Sequence, residues 1–212
     1  GSGAAVGAGM VPAATGTQVR GSILRPACYN GAWALKPSWG AINTKGGFPS
    51  PPSIGHLGFL AGSLADTWIS CYWLSRNAGG DAGHPSLKGH PHLPKSQKPK
   101  RLARVDTAGG ADTSEPVREI FNEMVFKLER QGVEIVSRRE DPELESYEQD
   151  MVQLSKVIEI VLAYEYRWPL MMYADKNPEL LGDRVLNRAK AAAEITPEQY
   201  EDFLNWIAKE MR

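Results

Sequence analysis

The sequence predicts an α/β fold in which helices flank a β-sheet. A strand, an amphipathic helix and a second strand follow one another between residues 101 and 137, which is the order of a β-α-β unit. Near the start of the chain, a run of small residues leads into a short apolar run bounded by glycine, which indicates a closely packed helix and a buried strand. Stripes of apolar residues at helical spacing recur to the end of the chain.

The first elements are short and rich in small residues. Residues 3–10 are predicted to form a helix whose glycines serve close approach to a neighbour, since glycine has poor helix propensity. Residues 11–15 are predicted to form a buried strand, and residues 32–36 and 40–43 two further short strands. Residues 46–52 are interpreted as a loop because two consecutive prolines exclude a helix.

A longer helix is predicted over residues 64–77. Ser63 and Asp66 have the spacing of a variant capping box, in which the serine side chain satisfies a free backbone N–H group of the first turn. The glycine- and proline-rich segment that follows, residues 79–100, is interpreted as a linker. Its histidines do not have the spacing of a familiar metal site, so no metal is predicted at His84, His90 and His92.

Strands and helices alternate in the last part of the chain. Residues 101–105 and 133–137 are predicted strands, and the helix between them has an apolar stripe formed by Val117, Ile120, Phe121, Met124, Val125 and Leu128. A long helix is expected from about Leu144 to a break near Pro169. A final helix begins at Thr196, which caps it, and Gln199 closes the capping box.

Composition and charge give no sign of two kinds of binding partner. The 212 residues are 42% hydrophobic and 23% charged with a formal net charge of −1, which gives no reason to expect binding to nucleic acid or to a membrane surface. A chain of this length forms one domain or a piece of a larger one. Cys28 and Cys71 are too few for a disulfide framework and favour a reducing compartment, so we expect a cytoplasmic protein.

The strongest functional signal is Ser22, which follows Gly21 in a stretch that begins at Gly16. Glycine reaches positive φ and lets backbone approach a ligand, so a loop held by these two glycines can direct several N–H groups around the serine. Acyl transfer needs a nucleophile beside such donors, because they stabilise the tetrahedral oxyanion. A glycine–serine pair near a proline is also common in ordinary surface turns, and the residues alone leave both interpretations open.

Residues 1–78 contain five short motifs, GSGAAVGAGMVP at residues 1–12, GTQ at 16–18, GSI at 21–23, PA at 26–27 and LKP at 35–37. Through these motifs the segment resembles the amidase signature family. This resemblance implies a mixed β-sheet core flanked by helices, and a serine-nucleophile hydrolase of carbon–nitrogen amide bonds that needs no metal or organic cofactor. It implies Ser22 as the catalytic nucleophile and an oxyanion hole made by the backbone N–H groups of Val19, Arg20, Gly21 and Ser22.

The resemblance also implies that the sequence is the middle of such a fold, incomplete at both ends. In the family a lysine and a second serine relay the proton of the nucleophile, and both are expected before Gly1, so we expect the 212-residue chain to be inactive alone. Residues 1–78 are then a core segment with the nucleophile loop and 79–100 a linker. Residues 101–212 continue the same domain, and they resemble the family in element order.

Three interpretations of function remain open at this stage. The first is an amidase acting on a small-molecule amide, with self-association undecided, and the second is a non-catalytic pseudoenzyme or interaction protein. The third is the A-type subunit of a tRNA-dependent amidotransferase, from the same family. Departures from the family pattern at Gln18, where Asp is common, at Arg20 and at Arg25 are compatible with another substrate or with lost activity. His56 is expected to be structural, because the family uses no histidine base.

Overall fold

The structure is a computed structural model that describes residues 1–47 and 51–210. The chain divides into two compact units, each described here by itself. The first unit comprises Gly1–Pro94 and Ile160–Tyr200, and the second comprises Lys95–Glu159 and the described part of Glu201–Arg212. Both contain helices and a small sheet, which confirms the predicted α/β fold.

Twelve helices and strands make up the described chain, apart from two short 3₁₀ turns. The helices are α1 (Ser2–Gly7), α2 (Leu24–Tyr29), α3 (Leu64–Ala78), α4 (Glu115–Arg130), α5 (Pro142–Lys176), α6 (Asp183–Ala193) and α7 (Pro197–Glu210). The strands are β1 (Ala13–Gln18), β2 (Trp33–Leu35), β3 (His56–Ala61), β4 (Arg101–Arg104) and β5 (Glu134–Ser137). Within residues 1–47 and 51–210, no helix combines the length and the apolar character needed to cross a membrane.

An antiparallel sheet with the strand order β1-β3-β2 forms the centre of the first unit. Strand β3 is central, and its first residue, His56, pairs with the last residue of β1, Gln18. The helices α1 and α2 pack on this sheet around a small apolar cluster that consists of Val6, Ile23, Ala27 and Leu60. This packing fixes the end of β1 and the start of α2, which are adjacent in the chain.

Glycine at two positions permits the close packing of this unit. A Cβ atom at Gly7 in α1 would overlap the carbonyl oxygen of Asn30, which follows α2. A Cβ atom at Gly58 in the middle of β3 would overlap the carbonyl oxygen of Leu35 in β2. The prediction that small residues serve close approach is therefore confirmed.

The second unit contains the predicted β-α-β arrangement. Strands β4 and β5 are parallel, with Arg101 opposite Glu134 and Arg104 opposite Ser137, and α4 connects them. The helix ends at Arg130, and Gly132 with φ of +81° turns the chain towards β5.

The two predicted capping boxes are also confirmed. Ser63 Oγ accepts the N–H of Asp66 at 3.0 Å, and Thr196 Oγ1 accepts the N–H of Gln199 at 3.2 Å. The predicted loop at residues 46–52 lies in part outside the described residues.

Two predicted features are wrong. Residues 40–43 form a turn instead of a strand, because Gly40 has φ of +70° and the N–H of Ala41 bonds the carbonyl of Ser38. Their apolar side chains, Ala41 and Ile42, are buried without belonging to the sheet. The helix α5 also continues through Pro169 instead of breaking there. Proline removes one N–H donor from the helix, which has a cost. The ring of Pro169 is buried, and burial of this apolar ring offsets part of that cost.

Replacing Gly58 with alanine should destabilise the first unit. The new methyl group would overlap the backbone of β2, which cannot move without breaking strand pairing, so we expect a loss of at least about 1–3 kcal/mol, typical of overpacking. Gly62 is the matched control, because a Cβ atom there meets open space. Urea unfolding should show Gly62→Ala within about 0.5 kcal/mol of the wild type. Equal stabilities of the two variants would contradict this packing.

Candidate active site

Ser22 lies in a tight turn, residues 19–23, that connects β1 to α2. Gly21 directly before it has φ of +77°, a backbone conformation that other residues rarely adopt. Its carbonyl oxygen accepts the N–H of Arg25 at 2.9 Å, which starts the hydrogen bonding of the helix. Gly16 does not belong to this turn. It lies inside β1, opposite Gly58, so the expectation that both glycines hold the loop is wrong for Gly16.

The side chain of Gln18 ties the turn together. Gln18 is only 7% exposed, and its Oε1 accepts the backbone N–H of Ile23 at 2.8 Å and that of Leu24 at 3.1 Å. These N–H groups stand at the start of α2, where no carbonyl of the preceding turn can accept them. Gln18, the last residue of β1, therefore fixes the backbone that directly follows Ser22.

The residue after Ser22 anchors the turn in the apolar core. Ile23 is fully buried, at 0% exposure, and packs with Leu60 of β3 and Ala27 of α2. Ser22 itself is exposed. An exposed serine thus stands next to a residue that is held in the apolar core. A nucleophile needs this arrangement, because its hydroxyl must be accessible while its backbone stays in place.

The other residues predicted to form the oxyanion hole occupy the same turn. Val19 and Gly21 are partly exposed and Arg20 is exposed. A turn that contains one left-handed residue can direct neighbouring N–H groups to one side, as in anion-binding backbone nests. The structure thus brings Val19, Arg20, Gly21 and Ser22 into one exposed turn, while their role in catalysis stays a prediction.

Two titratable side chains lie at the same end of the sheet. His56 is opposite Gln18, and its Nδ1 is 3.1 Å from the carbonyl oxygen of Ile54. Burial lowers the pKa of His56 and the positive charge of Lys36 lowers it further, against the opposing effect of backbone carbonyl contacts. Burial also lowers the pKa of Lys36, whose Nζ donates to the carbonyl of Pro37 at 2.8 Å. Both side chains have backbone partners, as expected for structural residues.

Sequence reasoning did not find a polar cluster in the first unit around Glu165 of α5. Its Oε2 accepts the N–H of Ser53 at 3.1 Å, and its Oε1 accepts the hydroxyl of Tyr200 at 2.6 Å. The ring of Tyr200 stacks on Tyr164 with a centroid distance of 4.2 Å. Burial, followed by the bond to Glu165, raises the pKa of Tyr200. The cluster fixes Ser53, which lies in the segment that leads into β3. No local sequence motif predicts the cluster, because its members are far apart in sequence.

The remaining polar candidates have structural partners. The hydroxyl of Ser2 donates to the carbonyl of Thr15 at 2.8 Å, which joins α1 to β1. Cys71 is buried, and burial raises its pKa to about 11, so its thiol is a poor nucleophile. In the described ranges 1–47 and 51–210, no group of three or more His, Cys, Asp and Glu side chains is placed to hold a metal ion.

Comparison with characterised proteins shows several similar sequences. The chain is 34% identical over 110 residues to AtzE, a 1-carboxybiuret hydrolase component of Pseudomonas sp. (strain ADP), and the match covers 52% of this chain and 24% of that protein. It is 35% identical over 136 residues to mandelamide hydrolase of Pseudomonas putida, covering 64% and 24%. It is 32% identical over 133 residues to the A-type subunit of glutamyl-tRNA(Gln) amidotransferase of Sulfurisphaera tokodaii, covering 62% and 28%.

Solved structures show the same fold. A crystal structure of an amidase has a TM-score of 0.74 at 23% identity, and the match covers 96% of this chain and 42% of that one. A bacterial aryl acylamidase of the amidase signature family has a TM-score of 0.62 at 15% identity, covering 98% and 46%. The chain thus spans less than half the length of these structures. Residues 1–211 match the profile of the Amidase family, and the chain belongs to that family.

Proposed function

We propose that the whole protein hydrolyses carbon–nitrogen amide bonds with Ser22 as the nucleophile. The observation that carries the proposal is the exposed hydroxyl of Ser22 in a turn whose backbone Gln18 fixes by two hydrogen bonds. Membership of the Amidase family supports the reaction class. A fixed turn favours catalysis because donors that are already oriented need no reorganisation when charge develops.

The proposed reaction proceeds in two steps. Ser22 Oγ attacks the amide carbonyl while a base takes its proton, and the backbone N–H groups of the turn, from Val19 to Ser22, bind the oxyanion. Collapse of the tetrahedral intermediate breaks the C–N bond, and the leaving amine or ammonia takes up a proton. Water then hydrolyses the acyl-enzyme and releases the carboxylic acid. The family resemblance assigns the proton relay to a lysine and a second serine upstream of Gly1.

Small-molecule amides are the proposed substrates. The similarity to mandelamide hydrolase and to the 1-carboxybiuret hydrolase component AtzE supports this class without selecting a substrate. We propose the cytoplasm as the compartment, a choice that the free thiols of Cys28 and Cys71 support.

Transamidation on charged tRNA is the second candidate. The observation in its favour is the similarity to the A-type subunit of glutamyl-tRNA(Gln) amidotransferase, at an identity close to that of the amide hydrolases. Turnover of simple amides by the purified protein without partner subunits would favour the hydrolase. Glutamine hydrolysis that requires both tRNA and partner subunits would favour the transamidase.

Activity should depend on both Ser22 and an upstream proton relay. We expect the 212-residue chain to hydrolyse mandelamide or benzamide no faster than its Ser22→Ala variant, because a serine hydroxyl without a base is a poor nucleophile. A longer chain that carries the upstream lysine and glycine- and serine-rich segment should be active. Ser22→Ala in that longer chain should lower kcat on the order of a thousandfold or more. Ammonia release measures both rates.

The two outcomes test different parts of the proposal. Unchanged activity of Ser22→Ala in the longer chain would exclude Ser22 as the nucleophile. Rapid turnover by the 212-residue chain that Ser22→Ala abolishes would keep the nucleophile but show that the base lies within these residues.

Gln18→Leu should destabilise the turn and impair catalysis. The leucine removes the acceptor of the buried Ile23 N–H and of the partly buried Leu24 N–H, and an unsatisfied buried donor costs about 1–3 kcal/mol. Thr17→Val is the matched control, because Thr17 is the exposed neighbour on the same strand. In the longer active chain, Gln18→Leu should lower kcat with little change in KM. Equal stability and kcat of the two variants would show that the turn does not depend on Gln18.

A further inference from the structure

A cavity of about 770 Å³ opens in the second unit at the carboxyl ends of β4 and β5. Arg104 is the last residue of β4, Arg138 directly follows β5, and both line the cavity. The connection from β4 to α4, residues 105–114, supplies much of the remaining wall. Parallel α/β units place ligands outside the carboxyl ends of their strands. The volume lies in the range of about 300–1,000 Å³ found for small-molecule sites.

Arginine side chains dominate the charge of the cavity. Arg104, Arg118 and Arg138 line it, against the carboxylates of Asp106 and Glu148. Arg118 is engaged structurally, because it bonds the carboxylate of Glu115 at 3.1 Å and the carbonyl of Thr113 at 3.0 Å. Arg104 is the cationic group best placed to meet a ligand, and Arg138 adds a second positive charge to the wall.

Arg104 retains most of its donors. Its Nε lies 3.3 Å from Asp106 Oδ1, and its guanidinium carbon lies 5.3 Å from the ring centre of Phe121. Within the described part of the chain, its polar contacts involve Nε alone, which leaves both Nη groups for a ligand. Stacking on an aromatic ring orients the planar guanidinium, a geometry that suits bidentate binding of carboxylate or phosphate.

The carboxylate of Glu148 binds backbone N–H groups of the cavity wall. Glu148 is 3% exposed, and its two oxygens accept the N–H of Asp106 at 3.2 Å and that of Thr107 at 3.1 Å. Arg138 is shared between two carboxylates, since its Nη1 lies 3.7 Å from Oε2 of Glu148 and its Nε lies 3.5 Å from Oε2 of Glu145. Thr107 has φ of +46° and ψ of 170°, a strained conformation for a residue with a side chain. Such strain persists only where the surroundings hold it, and it clusters at ligand sites.

Besides Arg118, α4 contributes two apolar side chains to the wall of the cavity. Val117 and Phe121 line the cavity and are 55% and 37% exposed, respectively. A ligand that pairs with Arg104 would therefore lie against hydrocarbon and an aromatic ring. This combination suits an anionic group carried on an apolar body better than a free inorganic ion.

We propose that this cavity binds a small molecule with a carboxylate or a phosphate on an apolar body, and that Arg104 and Arg138 bind the anionic group. The proposal goes beyond amide hydrolysis and does not involve Ser22. Failure of one proposal therefore leaves the other standing.

Binding of three probes to the 212-residue chain tests the proposal. Benzoate and phenyl phosphate carry the two anionic groups on the same ring, and benzamide is the neutral analogue. We expect both anions to shift the backbone amide signals of Gly109 and Gly110 in saturable NMR titrations, and the affinity to fall with added salt. Benzamide should bind at least about tenfold more weakly, the scale of one lost charge-assisted hydrogen bond. The tighter of the two anions identifies the preferred group.

Variants assign the binding to the cavity. Arg104→Gln and Arg138→Gln should each weaken anion binding at least about tenfold. Arg130→Gln is the matched control, because Arg130 lies in the last turn of α4 with its guanidinium over Phe126 and does not line the cavity. Preserved NMR dispersion shows that each variant is folded. If Arg104→Gln fails to fold, Arg104→Lys and the contrast between benzoate and benzamide decide the question.

Several results would overturn the proposal. Absence of saturable shifts with either anion up to about 10 mM, where a ligand of millimolar affinity approaches saturation, would do so. Equal binding of benzamide and benzoate would exclude recognition of the anion. Unchanged affinity in folded Arg104→Gln, or shifts confined to residues outside the cavity, would place the binding elsewhere.

Discussion

The hydrogen bonds from the side chain of Gln18 to the backbone at the start of α2 are the constraint on which the candidate active site depends. A six-residue helix has few internal hydrogen bonds and needs support from its surroundings. Gln18 supplies that support from the end of β1, and Ile23 adds to it from the apolar core. Ser22 lies between these two residues, so its position follows from contacts that its own side chain does not make.

The hydrogen bonds of Gln18 also explain how this chain accommodates a residue that departs from the family pattern. Gln18 stands where the resemblance leads one to expect aspartate, and an amide oxygen, like a carboxylate oxygen, can accept two N–H bonds. The geometry of the turn therefore needs an acceptor at this position and does not need a charge. The departure is thus compatible with an intact Ser22 turn, although the side-chain length and the charge differ from those of aspartate.

Sequence patterns predicted local features well and long-range ones poorly. Capping boxes at Ser63 and Thr196 and the β-α-β order were predictable because their signals lie within a few residues or follow regular periods. Strand β3 was not predicted as a strand, since Gly58 weakens its pattern and is required only by contact with β2. Ser22 and Gly21 of the turn were visible in the sequence. The acceptor role of Gln18 and the cluster around Glu165 were not, because they depend on tertiary contacts.

A buried side-chain acceptor fixes a polar loop in each unit, with different electrostatic consequences. Gln18 is neutral, so it holds the Ser22 turn without placing a negative charge beside the proposed oxyanion. Glu148 is an acid that holds the backbone of Asp106 and Thr107, and Arg138 lies close enough to offset its charge. Gln18 therefore needs no cation to balance it while it holds its turn, whereas Glu148 holds its loop with Arg138 at 3.7 Å.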